Sequence, residues 1–155
     1  MHALYINHSP TALEVVVMAI ETENFLAEIL PRQRAAEQAI HNGDAEPRLE
    51  LWARTDPVTV FGAKQSASGW ADLEPLFRKV ASWFSDSANY QFEVIAAGAS
   101  GDLAYTVGYE HNQVKVDGEP RTYTLRVTHV YRRENGQWLI VHRHGDVPPA
   151  EGGTI

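Results

Sequence analysis

The chain has 155 residues and a formal net charge of -7, from 20 acidic and 13 basic side chains, with 44% of its residues apolar and 21% charged. This is the composition of one globular domain able to bury a core without metal or disulfide staples. There is no cysteine, which excludes disulfides, thiolate catalysis and Cys-ligated zinc, and the acidic balance argues against nucleic acid, whose phosphates need a basic face.

Thr11 to Glu14 has the spacing of a capping box, but Val15, Val16 and Val17 lower helix propensity, so residues 1–27 are read as an N-terminal arm. The apolar run from Ala12 to Ile20 carries Glu14 and is far short of the roughly 20 residues that span a bilayer. It also lacks the basic start and the cleavage site of a signal peptide, so no membrane partner and a cytoplasmic location are expected. Pro31 suits a helix first turn, and Ala35, Ala36, Ala39 and Ile40 supply an apolar stripe that Asn42-Gly43 ends. Asp44 then caps a short helix with Leu49, Leu51 and Trp52, Asp56-Pro57 breaks the pattern, and Val58, Val60 and Phe61 read as a strand.

After a polar loop, Trp70, Leu73, Leu76, Phe77, Val80, Trp83 and Phe84 recur at helical spacing. From Tyr90 the period changes to two, giving three or four long strands among 90–97, 103–114, 121–132 and 137–144. The order α-α-β-α-β-β-β predicts an α+β fold, with helices packed on a curved, mainly antiparallel sheet. The charge is uneven: residues 121–155 are the only net-positive third, with five arginines against three acids.

This order, with Asn42-Gly43-Asp44, Phe61-Gly62 and the ending from Arg126 to His144 (RVTHVYRRENGQWLIVHRH), resembles the SnoaL-like group of the nuclear transport factor two superfamily over residues 28–147, leaving 148–155 as a flexible tail. The resemblance implies a cone with an internal pocket between helices and sheet, and a homodimer through the outer sheet face. It does not imply one reaction, because that fold hosts isomerases, cyclases, dehydratases, epoxide hydrolases, transport factors and kinase association domains. The positions of the ketosteroid isomerase base and oxyanion tyrosine fall near Gly62 and Ala36, and the acid that isomerases and cyclases carry on the penultimate strand falls near Thr128. None of these side chains can do that chemistry. The ending from Trp138 to His144 is similar to the association domain of calcium/calmodulin-dependent protein kinase and to bacterial SnoaL-like proteins of unassigned function. That domain's pocket arginines fall near Arg126 or Thr128 and at Glu110.

Alternation divides 103–112 into Leu103, Tyr105, Val107, Tyr109 and His111 on one face, against Ala104, Thr106, Gly108, Glu110 and Asn112 on the other. The next strand divides into Tyr123, Leu125, Val127, His129 and Tyr131 against Thr124, Arg126, Thr128 and Val130. On physics alone the large apolar faces should meet the helices; the family pattern turns them toward a second subunit, through Tyr105, Tyr109, Val127 and His129, and we carry that pattern forward. Two hairpin registers remain open. A three-residue loop at Glu134-Asn135-Gly136, carried forward here, sets Thr128 beside His142 and Arg126 beside His144, whereas a two-residue Asn135-Gly136 turn sets His142 opposite His129.

The expected pocket holds Glu110, His142 and His144 as catalytic candidates and Arg126 and Thr128 as ligand contacts, walled by Trp52, Phe61, Trp70, Phe84 and Trp138. A lone His-x-His is a weak metal signal, and no metal or cofactor is expected. Two functions fit a small-molecule pocket of this kind. One is a lyase, isomerase or hydratase acting on a small apolar substrate with a carbonyl or carboxylate. The other is a non-catalytic binding or association domain.

Overall fold

Thr11 opens the first helix with a complete capping box: its hydroxyl accepts from the Glu14 N–H at 3.2 Å, and Glu14 Oε2 accepts from the Thr11 N–H at 2.7 Å. In the computed structural model, which describes residues 8–151, this helix is α1 (Ala12–Ile40). The first seven residues of the expected arm, and Gly152 and Gly153 of the expected tail, lie outside the described residues.

A helix beginning at Pro31 is therefore corrected: Pro31 sits inside α1. It has no N–H to offer the Ala27 carbonyl. The helix continues through it because Phe25, Ile29, Ala36 and Ile40 recur on one face and are all buried. Ahead of this stripe, Leu13, Val15, Val16, Val17, Met18 and Ile20 are exposed.

Gly43, at φ 89°, turns the chain out of α1. Asp44 Oδ1 accepts from the Glu46 N–H at 3.0 Å, and α2 (Glu46–Leu51) follows with Pro47 in its first turn. β1 (Thr59–Phe61) pairs with β2 (Ser66–Ser68), a strand within what the sequence pattern reads as polar loop. Asp56 Oδ1 accepts from the Trp70 N–H at 2.8 Å where α3 (Trp70–Ala81) begins, and α3 buries Leu73, Phe77 and Ala81. Phe84, read as the end of that helical stripe, instead opens β3 (Phe84–Ser100). The meander continues with β4 (Leu103–Val116), β5 (Glu119–Glu134) and β6 (Gln137–Asp146).

The six strands form one curved, unclosed sheet in the order β2-β1-β6-β5-β4-β3. Only β1 and β6 run parallel, so the sheet is mixed. The helices cover one face, where Phe25, Leu49, Trp52, Phe77, Tyr131 and Ile140 meet in the core.

The last hairpin decides which side chains reach that face. Glu134 pairs with Gln137, with Asn135 at φ 50° and Gly136 at φ 74°, so the turn has two residues rather than three. Tyr131 then pairs with Ile140 but Val130 with His142, leaving Val141 as the extra residue of a β-bulge. The bulge reverses alternation within β6. Trp138 and Ile140 are buried before it, Arg143 and Gly145 after it, and His142 and His144 are turned outward.

On β4, Ala104, Thr106, Gly108, Glu110 and Asn112 face inward, as the family pattern implies. On β5 the expectation is overturned: Val127, His129 and Tyr131 are buried, while Arg126 is exposed. The cross-strand register supplies the reason. Ala104 pairs with Tyr131 and Gly108 with Val127, so small residues of β4 leave room for large neighbours on β5. Gly108 is also covered from β3, since a Cβ there would lie 2.2 Å from the Glu93 carbonyl oxygen. Val127 and His129 therefore belong to the inner face and have no surface to offer a second subunit.

Candidate functional site

A cavity of about 370 Å³ opens between α3, the β1–β2 loop and the inner face of the sheet, within the size range of small-molecule sites. Its walls are apolar: Leu76, Phe77 and Val80 from α3, Trp83 and Phe84 from the turn into β3, and Leu125 from β5. The polar groups lining it include His41, Arg48, Glu110, Tyr123 and Arg143.

Arg143 forks onto Glu110, Nη1 to Oε1 at 2.7 Å and Nη2 to Oε2 at 2.8 Å, and both residues are buried. The Tyr90 hydroxyl donates to Glu110 Oε1 at 3.1 Å. Burial alone would raise the Glu110 carboxyl, but the charge and hydrogen bonds of Arg143, with His129 and Arg48 nearby, bring it down from 4.5 to about 2. Arg143 Nη1 also lies 3.0 Å from His129 Nε2. A guanidinium only donates, so that nitrogen accepts and the neutral ring carries its proton on Nδ1. Burial, reinforced by the Arg143 charge, holds His129 well below the ordinary imidazole value.

Glu37 and Arg48 form a second buried ion pair, and Arg143 Nη1 lies 4.0 Å from Glu37 Oε1. Two carboxylates thus balance two guanidinium groups, which is what lets four charges be buried together. The Arg48 guanidinium also lies over the Phe77 ring, 5.3 Å from its centroid.

His41, at the end of α1, links this network to the cavity. Its Nδ1 is 2.6 Å from the Glu37 carbonyl oxygen, which can only accept, so Nδ1 carries the proton. Its Nε2 is 3.0 Å from the Tyr123 hydroxyl and, in the neutral ring, accepts from it. Burial lowers the His41 value, while burial and the charges of Glu110 and Glu37 raise that of Tyr123. The pair is therefore a neutral phenol hydrogen-bonded to a neutral imidazole at the wall of an apolar cavity.

The model of the SnoaL-like domain matches residues 33–150. The chain belongs to the SnoaL-like family. No curated protein matches it in sequence. Among solved structures it is similar to a candidate calcium/calmodulin-dependent protein kinase type II association domain from Thiobacillus denitrificans, with 20% identity, TM-score 0.65, and 76% of this chain and 93% of that chain covered. A candidate dehydratase of the NTF2-like family from Streptomyces avermitilis shares 18% identity at TM-score 0.67, covering 83% and 99% of the two chains. An NTF2-like protein of unknown function from Pseudomonas putida shares 21% at TM-score 0.63, covering 85% and 92%. At these identities the likeness concerns the fold.

Within this SnoaL-like domain, Glu110 and Phe84 are the expected site residues that line the cavity. The others stand elsewhere. His142 and His144 lie on the outer face, with the exposed Phe61 ring edge-on to both at 5.6 and 5.8 Å and Thr59 Oγ1 2.7 Å from His142 Nδ1. Thr128 pairs with His144 there, and Arg126 forks onto Asp146 at 2.7 and 2.8 Å. The Val141 bulge is the reason for the two histidines, and the outward alternation of β5 for Arg126 and Thr128. Trp52 and Trp138 are buried in the core and do not line the cavity, Trp52 packing against Phe77 with ring centroids 5.0 Å apart, and Trp70, under the Arg54 guanidinium, lies at the start of α3. Gly62 does line the cavity, so the position of the isomerase base reaches it without a functional side chain.

Sequence reasoning missed Glu37, His41, Arg48, Tyr123 and Arg143. The first two carried a signal. Gln33, Glu37 and His41 recur every four residues alongside Ala36 and Ile40, which places polar side chains on the buried face of a helix. Among the described residues no cluster of three His, Asp or Glu side chains is arranged to hold a metal ion, and no helix is long and apolar enough to cross a membrane.

Proposed function

We propose that this SnoaL-like protein binds a small, mainly apolar molecule in the cavity and takes a carbonyl or carboxylate oxygen of that molecule onto the Tyr123 hydroxyl. The observation that carries this reading is the Tyr123 and His41 pair, a donor backed by an oriented base on an otherwise apolar wall. On binding, the Tyr123 hydroxyl turns from His41 Nε2 to donate to the ligand oxygen, and the freed Nε2 lone pair takes the proton from the carbon beside the polarised carbonyl and then returns that proton to the ligand. This is the chemistry of an isomerase, hydratase or lyase working by proton transfer. Arg48 and Arg143 act from beneath through their field, since each is already engaged by a carboxylate.

A second reading, binding without turnover, is favoured by one feature: Glu110, the one carboxylate lining the cavity, is held as an anion by Arg143 and is not free to act as a base. Trp83 lines the cavity, so the part of the tryptophan fluorescence that is lost in Trp83→Phe should report its occupancy. Cyclic and linear ketones titrated in deuterated buffer distinguish the readings. Quenching with deuterium entering the α-carbon, lost in Tyr123→Phe, supports proton transfer. Quenching without exchange supports the binding reading, and no quenching by any ketone or matched carboxylate overturns both.

The proposal includes a homodimer through the outer face, supported by Ile95, Leu103 and Tyr105 at 57%, 58% and 45% exposure, with Tyr109 beside them on β4. A constant monomer mass across dilution rejects it.

A further inference from the structure

From the charges around the cavity we infer that its ligand is an anionic amphiphile, oriented with the apolar body inside and the anionic group at the mouth between Lys64 and Arg121. This rests on the cavity being a ligand site, as proposed above, and adds the ligand's charge and direction.

The cavity lining carries four permanent cations, Arg48, Lys64, Arg121 and Arg143, and one carboxylate, Glu110. The chain as a whole has 20 acids to 13 bases, so the local bias runs against the composition. The four cations divide by partner. Arg143 is engaged by Glu110 and Arg48 by Glu37, inside the protein. Lys64, in the loop between β1 and β2, and Arg121, near the start of β5, are exposed and form no ion pair with a carboxylate among the described residues. The one hydrogen bond of the Arg121 guanidinium goes to the neighbouring Pro120 carbonyl at 3.2 Å.

The remaining lining continues this polarity. Ala63 and Val147 are exposed, as the two cations are, whereas Leu76, Val80, Trp83 and Leu125 are half-buried lining. Charge at the rim, an apolar barrel behind it and a neutral phenol within is the complement of a molecule with an anionic head, a hydrocarbon body and a neutral oxygen further in. Arg143 does not compete for the head group, because a bidentate carboxylate already satisfies it and burial makes its release costly; the Arg48 charge is balanced by Glu37, and its buried Nε has no hydrogen-bond partner among the described residues. A carboxylate and a phosphate monoester share this chemistry, and arginine accepts either.

The test compares three probes with one alkyl chain, decanoate, decyl phosphate and decanol, titrated against Trp83 fluorescence in the full chain. Wild type should bind decanoate about tenfold more tightly than decanol, the sum expected of two exposed charge contacts. The preference should shrink with added salt. In Lys64→Gln/Arg121→Gln it should fall to near unity while decanol affinity is unchanged. The charge-reversed Lys64→Glu/Arg121→Glu should prefer decylamine over decanoate. Decyl phosphate matching decanoate extends the site to phosphates, and weaker binding confines it to carboxylates. Equal affinity of wild type for decanoate and decanol, or a preference that survives the double variant, overturns the inference while leaving the cavity reading intact. Failure of decanol and decanoate alike to bind overturns both.

Discussion

Arg143 with Glu110 and Arg126 with Asp146 make the same two-pronged fork, each with contacts of 2.7 and 2.8 Å, on opposite faces of one sheet. The inner pair is 7% and 1% exposed at its side chains, the outer pair 48% and 42%. The contact lengths are equal, so the difference lies in the surroundings. Water screens the outer fork and would solvate either partner if the other were removed. The inner partners are almost wholly covered by protein, and the same guanidinium also serves His129. Contact geometry therefore says little about energetic weight until burial is added.

The largest test removes one inner partner. Glu110→Gln or Arg143→Met should cost about 3–5 kcal/mol, because an uncompensated charge stays buried; the urea midpoint reads the loss. Replacing both by apolar residues should recover part of it, and a double variant no better than the singles would break the argument.

Lowering the pH applies the same test without mutation. His129 and His41 have folded values below the ordinary 6.5, so the unfolded chain binds their protons first. Stability should begin to fall as the pH drops through 6.5, by roughly 1.4 kcal/mol per pH unit for each ring that stays neutral. Glu110, brought from 4.5 to about 2, contributes stability that is complete above 4.5 and is lost as the pH falls from there toward 2. Denaturation followed from pH 8 to pH 3 should show both windows, and His129→Gln should flatten the upper one.

Tyr123→Phe leaves the Nε2 of His41 without its donor and should cost about 1 kcal/mol, measurable in urea, with the ligand response affected far more than the fold. The smallest effect belongs to the outer face. Arg126→Ala should leave the melting temperature within error, and His142→Ala and His144→Ala should leave probe binding to the cavity unchanged. A large loss in any of these would mean that the proposed dimer interface extends from Tyr105 and Tyr109 across β5 and β6.

Glu110 was legible because β4 alternates without interruption, which groups it with Ala104, Thr106 and Gly108, and because the family resemblance turned that small-residue face inward. Helix α3 was legible from its apolar spacing, although Phe84 continued the stripe by coincidence into β3. Glu37 and His41 were readable from their four-residue spacing on an apolar face, once the helix is allowed to run through Pro31. Arg143 was not. It sits between two histidines that attract functional interpretation, and plain alternation from Trp138 and Ile140 sends those histidines inward.

The residues alone determined an acidic, cysteine-free α+β chain, its order of elements apart from β2, and the SnoaL-like resemblance; that resemblance, against the apolar pattern, supplied the inward place of Glu110. Local propensity and period are properties of neighbouring residues, and they are written in the order of the chain. The tertiary structure decided the faces of β5 and β6, through cross-strand packing of small against large residues and through one extra residue at Val141. A strand has only two faces, so a single bulge exchanges every side chain beyond it. That exchange puts Arg143, and not His142 or His144, against Glu110.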